Sequence, residues 1–310
     1  MKGSTSKSIS AQREAETSGT GKLLHHIAIL VTVAIWGGLS ISIKYLLREI
    51  SSTSVSVSRV YPAALLGILF LLLFSKTFKR IERKDWPRLI LASVFGFFAV
   101  NYVIPIGHRF ITAGVGTLTI AITPIWAAVF AALILKERLT KGKVLGILVA
   151  VSGLVIVAFF GGPKASFEMG NIKGVLITIL GPMFFALYSV FGRPLTRSYK
   201  PSYLTYYGLI IGMVLFMPFL SAEMLKEFLS LSNLGWFAVF YFSIIATFLA
   251  FQFWYFGLSG VEATKAIVYT NLTPFFGLIG ATLILGERIT FLLVLGGCVI
   301  VAGIILTNRS

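Results

Sequence analysis

Carboxylates are scarce in this 310-residue chain: eleven Asp and Glu stand against 27 Lys and Arg, and Asp85 is the sole aspartate. A single cysteine, Cys298, leaves no partner for an intrachain disulfide and excludes a thiolate metal cage or a CxxC redox pair. The three histidines (His25, His26, His108) have no aspartate beside them, and no HExxH, GxSxG or Walker loop occurs. Catalysis, a bound metal, a cofactor and ATP-driven work are therefore not expected. Charged residues make up only 12% of the chain, about half the usual quarter. That leaves too little polar side chain to cover a globule in water. What is present instead is apolar: 57% hydrophobic residues and a mean hydropathy of +0.91. The expected solvent is lipid. The formal net charge of +16 does not point to nucleic acid, because the basic residues fall in short gaps between apolar runs rather than on one face.

Residues 1–24 are rich in Ser, Thr and Gly with no apolar core and read as a disordered cytoplasmic tail, without a cleavable signal peptide. Ten apolar stretches follow, each close to the roughly twenty residues that cross a bilayer. They run from His26 to Leu47, Ser54 to Phe74, Pro87 to Gly107, Ala113 to Leu135 and Gly142 to Phe160, then Ile172 to Gly192, Pro201 to Leu220, Gly235 to Leu258, Glu262 to Leu285 and Thr290 to Thr307. Continuous apolar character excludes a barrel, whose strands alternate. Ten spans put both tails on one side. Lys and Arg divide roughly eighteen to six in favour of the side bearing the tails, which makes both termini cytoplasmic in a cell membrane.

Sliding the sequence by 150 positions superposes Thr123-Pro124 on Thr273-Pro274, Glu137-Arg138 on Glu287-Arg288, Thr140 on Thr290 and Val144-Leu145-Gly146 on Val294-Leu295-Gly296. About sixteen identities over roughly forty-four ungapped positions mark a duplicated half. Five spans per half is an odd number, so the second half enters the bilayer from the opposite face. The expected fold is an all-α integral membrane protein, ten transmembrane helices forming two inverted five-helix repeats over residues 25–160 and 171–308. Such inverted repeats expose a midplane site to each side in turn.

With the Trp36-Gly37 pair and Lys44 in the first span, Arg59 in the second, and Leu135-Lys136-Glu137-Arg138-Leu139-Thr140 copied as Leu285-Gly286-Glu287-Arg288-Ile289-Thr290, the chain resembles the EamA-type branch of the drug/metabolite transporter superfamily. The resemblance covers nearly everything after the tail. It implies a central cavity built from spans 1, 3, 4, 6, 8 and 9 and leans toward export of amino acids or related metabolites. One departure is local: Phe184-Phe185-Ala186-Leu187-Tyr188 stands in the sixth span where a Trp is common.

No acid lies mid-span, which argues against relatives that exchange protons for cations on a buried Glu. Glu262 is the one weak coupling candidate, and an ordinary helix-start residue is its plainer reading. Lys44 and Lys265 lie near span ends, where their stems reach the interface. Arg59 is deeper; a structural partnership with helix-end carbonyls is preferred over substrate contact. Candidate substrate-binding residues are the polar and aromatic groups near mid-span: Trp36, Ser40, Asn101, Tyr102, Thr119, Thr123, Tyr188, Gln252, Trp254, Tyr269 and Asn271. Ser and Thr among them more simply bond to their own helices. For Asn101, Gln252 and Asn271, interhelical bonding and pocket lining are about even. Pro124 and Pro274 each free a carbonyl one turn earlier, at Ile120 and Thr270, in matching positions of the two halves. GxxxG at Gly142/Gly146 and Gly208/Gly212 allows close helix approach, within the chain by default or in a homodimer. The partners expected are the lipid bilayer and a small-molecule substrate carried as a secondary transporter by alternating access. A proton-coupled antiporter and a non-transporting receptor or scaffold are the alternatives.

Overall fold

The computed structural model of the chain describes residues 19–74, 80–135, 140–162, 169–192, 194–261, 269–270 and 272–309. Every regular element among them is helical. Hydrocarbon offers no hydrogen bonds, so an apolar run must pair its backbone within itself, and the helix does so. Among the described residues, eight helices are long and apolar enough to cross a membrane. These are α1 (Leu23–Leu46), α2 (Ser52–Leu73), α3 (Arg83–His108), α4 (Ala113–Ile134), α5 (Lys141–Phe160), α6 (Met169–Gly192), α7 (Pro201–Phe219) and α8 (Asn233–Trp254). Two shorter apolar helices follow, α9 (Thr273–Leu285) and α10 (Phe291–Thr307). Helix already begins at Gly19, inside the stretch expected to be tail. Lys22, Leu23 and Leu24 are good helix formers, and extending an anchored helix adds one hydrogen bond per residue.

Hydroxyl caps set several helix starts. Ser51 Oγ accepts from the Ser54 N–H at the start of α2, Thr112 Oγ1 from Val115 at α4, and Ser232 Oγ from Gly235 at α8. Thr140 and Thr290, one repeat length apart, cap α5 and α10 in the same way, each at 3.2 Å. At the other end of α9, Gly286 turns the chain in the left-handed conformation (φ 68°) that residues bearing a Cβ adopt reluctantly.

Irregularities recur at the same spacing. A turn at Ile122 interrupts α4 just before Thr123-Pro124, and a turn at Leu272 stands just before Thr273-Pro274. Within α3, Val94–Ala99 forms a π-helical segment, and within α8 so does Tyr241–Leu249. Adding 150 to the first range gives 244–249, which lies inside the second. Both members of this pair of equivalent helices are therefore widened at the same level.

Helices α5 and α10 pack tightly, and glycine is the reason. A Cβ on Gly146 would strike Thr307 and the Gly303 carbonyl, and one on Gly153 would strike the Gly296 carbonyl at 2.7 Å. Gly146 faces Gly303 while Gly153 faces Gly296, so the two helices run antiparallel. Shifting by 150 carries Gly146 to Gly296 and Gly153 to Gly303, which exchanges the two contacts. The interface maps onto itself under the sequence repeat. Gly208 and Gly212 likewise spend their missing side chains inside the chain, where both accommodate Phe97. Large apolar side chains such as Leu72, Leu133, Leu283 and Phe291 cover the exterior.

Candidate functional site

A cavity of about 40 Å³ lies between α2, α3, α6, α7 and α8. It has room for one or a few waters and is far below the roughly 300–1,000 Å³ of a ligand pocket, so its walls are closed together. Arg59 and Val60 line it from α2, Gly96, Phe97, Val100 and Asn101 from α3, Phe185 and Tyr188 from α6, Leu209 from α7, and Thr247 and Phe251 from α8. Three pairs of these are 150 positions apart: Arg59 with Leu209, Phe97 with Thr247, and Asn101 with Phe251. The cavity therefore sits where the two repeats face each other, and it is polar on one member of each pair and apolar on the other.

Arg59 stands about 5 Å from the midpoint of α2 at 1.5 Å per residue, where an isolated charge costs about 2.5–3.5 kcal/mol. Its Nε donates to Thr247 Oγ1 at 3.0 Å, and the guanidinium carbon lies 4.9 Å from the centre of the Phe242 ring. The partner is thus a hydroxyl and an aromatic face on α8 rather than helix-end carbonyls. The π-helical turn explains the hydroxyl's placement: Thr247 Oγ1 donates to the Phe242 carbonyl five residues back, which leaves its lone pairs to accept from Arg59. On the α3 wall of the cavity, Asn101 Nδ2 donates to the Phe97 carbonyl at 2.9 Å, while its Oδ1 is buried with no hydrogen-bond partner. Ser56 Oγ donates to the Asn101 carbonyl at 2.6 Å and ties α2 to α3 one turn before Arg59.

Of the residues expected to bind substrate, Asn101 and Tyr188 line this cavity. Tyr188 packs on Phe97 and Phe185 with ring centres 5.5 and 5.4 Å apart, and Gly96 makes room for it, since a Cβ there would lie 2.6 Å from the ring. Gln252, next to the lining, donates instead to Tyr206 Oη at 2.8 Å. Trp36, Trp254 and Tyr269 form a separate aromatic group with Ile29, Val33 and Phe276; Trp36 and Trp254 are 5.2 Å apart and Tyr269 Oη bonds His26 Nδ1 at 2.9 Å. Tyr102 packs on Phe98 and Phe219 outside the cavity. Ser40 is buried in α1. Thr119 and Thr123 donate to the carbonyls of Val115 and Ile120, so the carbonyl that Pro124 frees is taken by the neighbouring hydroxyl. Asn271, Glu137, Glu262 and Lys265 lie outside the described residues. Arg59, Thr247, Phe97, Phe185 and Phe251 were not among the expected binding residues. The one signal for Arg59 was its charge deep in a span, and the others are ordinary span residues.

Comparison with known proteins adds the decisive observation. The sequence profile described as the EamA-like transporter family matches twice, at residues 23–159 and again at 172–309. The chain belongs to the EamA-like transporter family. An "uncharacterized transporter" of Archaeoglobus fulgidus is 28% identical over 284 residues, covering 92% of this chain and 98% of its own length. A "probable terminal-alkyne amino-acid exporter" of Streptantibioticus cattleyicolor is 25% identical, covering 91% and 92%. A "probable amino-acid metabolite efflux pump" of Salmonella typhimurium is 23% identical, covering 89% and 91%. One crystal structure shares the fold with a TM-score of 0.60 at 17% identity, over 91% of this chain and 95% of that one. The EamA family is one of multi-pass membrane transporters, which carry small molecules, and not of enzymes.

At one end of this EamA chain, three carboxylates tie the repeats together. Glu287, after α9, accepts from the N–H groups of Ala113 and Gly114 at 2.7 and 3.0 Å, at the start of α4. Glu49, after α1, accepts from the N–H and hydroxyl of Ser232 at 2.8 and 2.7 Å, at the start of α8. Glu227, on a short amphipathic helix (Ala222–Leu229), accepts from the N–H of Ser51 at 3.1 Å and from the hydroxyls of Ser51 and Ser54, at the start of α2. Each places negative charge on a helix N-terminus of the other repeat, where unpaired N–H groups and the helix dipole favour it. Lys44 adds a link at the same end, donating to the His108 carbonyl at 2.9 Å. The hydrogen bonds from Ser232 hold the Glu49 carboxyl below its ordinary value of 4.5. At the opposite end Tyr199 donates to Asp85 at 2.7 Å, joining the loop that precedes α7 to the first turn of α3.

Proposed function

We propose that this protein is a secondary transporter of the cell membrane. It moves a small organic metabolite, of the amino-acid or related class, by alternating access between two inverted repeats of five transmembrane helices, with both termini cytoplasmic. The observation that carries the reading is the closed, partly polar cavity between repeat-equivalent helices, with the carboxylate ties at one end. The antiparallel, self-exchanging contact of α5 with α10 supports the inverted arrangement. The exporter names carried by two relatives support the substrate class. On the count of Lys and Arg, the tied end is the outer one.

No carboxylate among the described residues lines the cavity. Movement down the substrate's own gradient therefore fits better than proton exchange, which uses an intramembrane acid. The test is counterflow in proteoliposomes loaded with one amino acid at high concentration. Transient accumulation of labelled substrate, unchanged by an imposed pH gradient, is the expected result. Binding without flux would make the protein a receptor, and acceleration by the pH gradient would make it a proton-coupled antiporter.

A further inference from the structure

We infer that Arg59 and Asn101 form the polar end of the substrate site and receive, respectively, the carboxylate and the ammonium of a zwitterionic α-amino acid. The inference rests on the transport reading and narrows it to a ligand chemistry. Arg59 engages its Nε with a neutral hydroxyl, and among the described residues no protein acceptor takes the terminal Nη pair. That fork is the part of a guanidinium that pairs a carboxylate through two parallel hydrogen bonds. The charge is set deep in a span, so an anion that neutralises it there recovers what its burial costs. Asn101 supplies the complement. Its Nδ2 is committed to the Phe97 carbonyl, which fixes the amide and leaves Oδ1 as a buried, unpartnered acceptor on the same cavity. An acceptor of that kind favours a ligand that brings donors. The rings of Phe185 and Tyr188 offer faces to an ammonium or to an apolar side chain.

A purely structural role for Arg59 explains less. The second repeat builds the equivalent turn with Leu209, and the place of Asn101 is taken there by Phe251, so the helical framework needs neither an arginine nor an amide at these positions. Both polar groups belong to one repeat and share the cavity with a hydroxyl from the other, Thr247, to which Arg59 donates, and this gives the cavity a direction that the duplicated backbone lacks. The cavity is too small for an amino acid as it stands, and binding must part the helices around it.

The experiment is a thermal-shift series on the full chain in detergent, run in parallel with counterflow. The probes are L-leucine and L-phenylalanine, their decarboxylated amines (isoamylamine, phenethylamine) and their deaminated acids (4-methylpentanoate, 3-phenylpropanoate). For wild type, amino acids stabilise the protein and the amines do not, since a ligand that binds only the folded form raises its melting temperature. Arg59→Gln weakens amino-acid binding by about thirty-fold or more, the loss expected when one member of a buried charge pair is removed. Arg59→Lys keeps part of the affinity, and Asn101→Leu narrows the preference for amino acids over the deaminated acids. Should Arg59→Gln fail to fold, the wild-type series and Asn101→Leu still decide. The inference is overturned if the amines bind as well as the amino acids, if no probe stabilises wild type, or if Arg59→Gln keeps the preference for carboxylates. Flux without carboxylate preference would sink this inference and leave the transport reading standing; carboxylate-selective binding without flux would do the reverse.

Discussion

Replacing Glu287 with Gln tests whether the ties between repeats hold one end of the protein shut. The carboxylate accepts from two N–H groups at the start of α4, one on each oxygen. An amide of the same shape has one accepting oxygen, so one N–H loses its partner and the charge no longer meets the helix terminus. Loss of the dipole interaction is worth about 0.3–1 kcal/mol, and exchange of a charge-assisted for a neutral hydrogen bond adds a similar amount. The substitution should therefore favour opening by about 1–2 kcal/mol, or five- to thirty-fold in the population of open protein. The assay places a cysteine at Ser40, which is buried in α1, after exchanging the exposed Cys298 for serine. Reaction with a membrane-impermeant maleimide applied at the Glu287 end should speed up by that factor. An unchanged labelling rate, with the fold intact, would refute the idea that this carboxylate is a gate.

Other outcomes follow from the same geometry. Because the folded-state value of Glu49 is lowered, its cap on Ser232 contributes fully above pH 4.5 and is lost as the pH falls through the lowered value. Glu49→Gln should accordingly lower the melting temperature at pH 7 and make little difference in strong acid; an equal effect at both would contradict the cap. Gly153→Ala and Gly303→Ala should destabilise alike, by about 1–3 kcal/mol each, because both press a methyl onto facing backbone in the α5–α10 contact. Melting temperatures of the two variants check this, and tolerance of either would show that the helices separate easily.

Much of the fold was legible because hydrocarbon enforces a simple rule: about twenty apolar residues, then a polar gap. The repeat was legible in Thr123-Pro124 and Thr273-Pro274, and the structure interrupts its helices at Ile122 and Leu272, directly before those pairs. The π-helical segments were not, since Val94–Ala99 is composed like any other part of a span. Asn101 and Tyr188 stood out as polar groups at mid-depth. Arg59 stood out as a costly charge, but its partner could not be read: Thr247 lies 188 positions away and resembles many threonines that bond only to their own helix. The ties through Glu49, Glu227 and Glu287 are equally remote, joining residues more than 170 positions apart. In sequence those acids are merely loop residues.

The measurement that bears most directly on the account is the sidedness of residues 137 and 287. Single cysteines replacing Glu137 and Glu287, in a chain without Cys298, are exposed to an impermeant maleimide in right-side-out and in inverted vesicles. Inverted repeats predict that position 287 reacts only in the right-side-out preparation and position 137 only in the inverted one. Reaction of both from the same side would contradict the account.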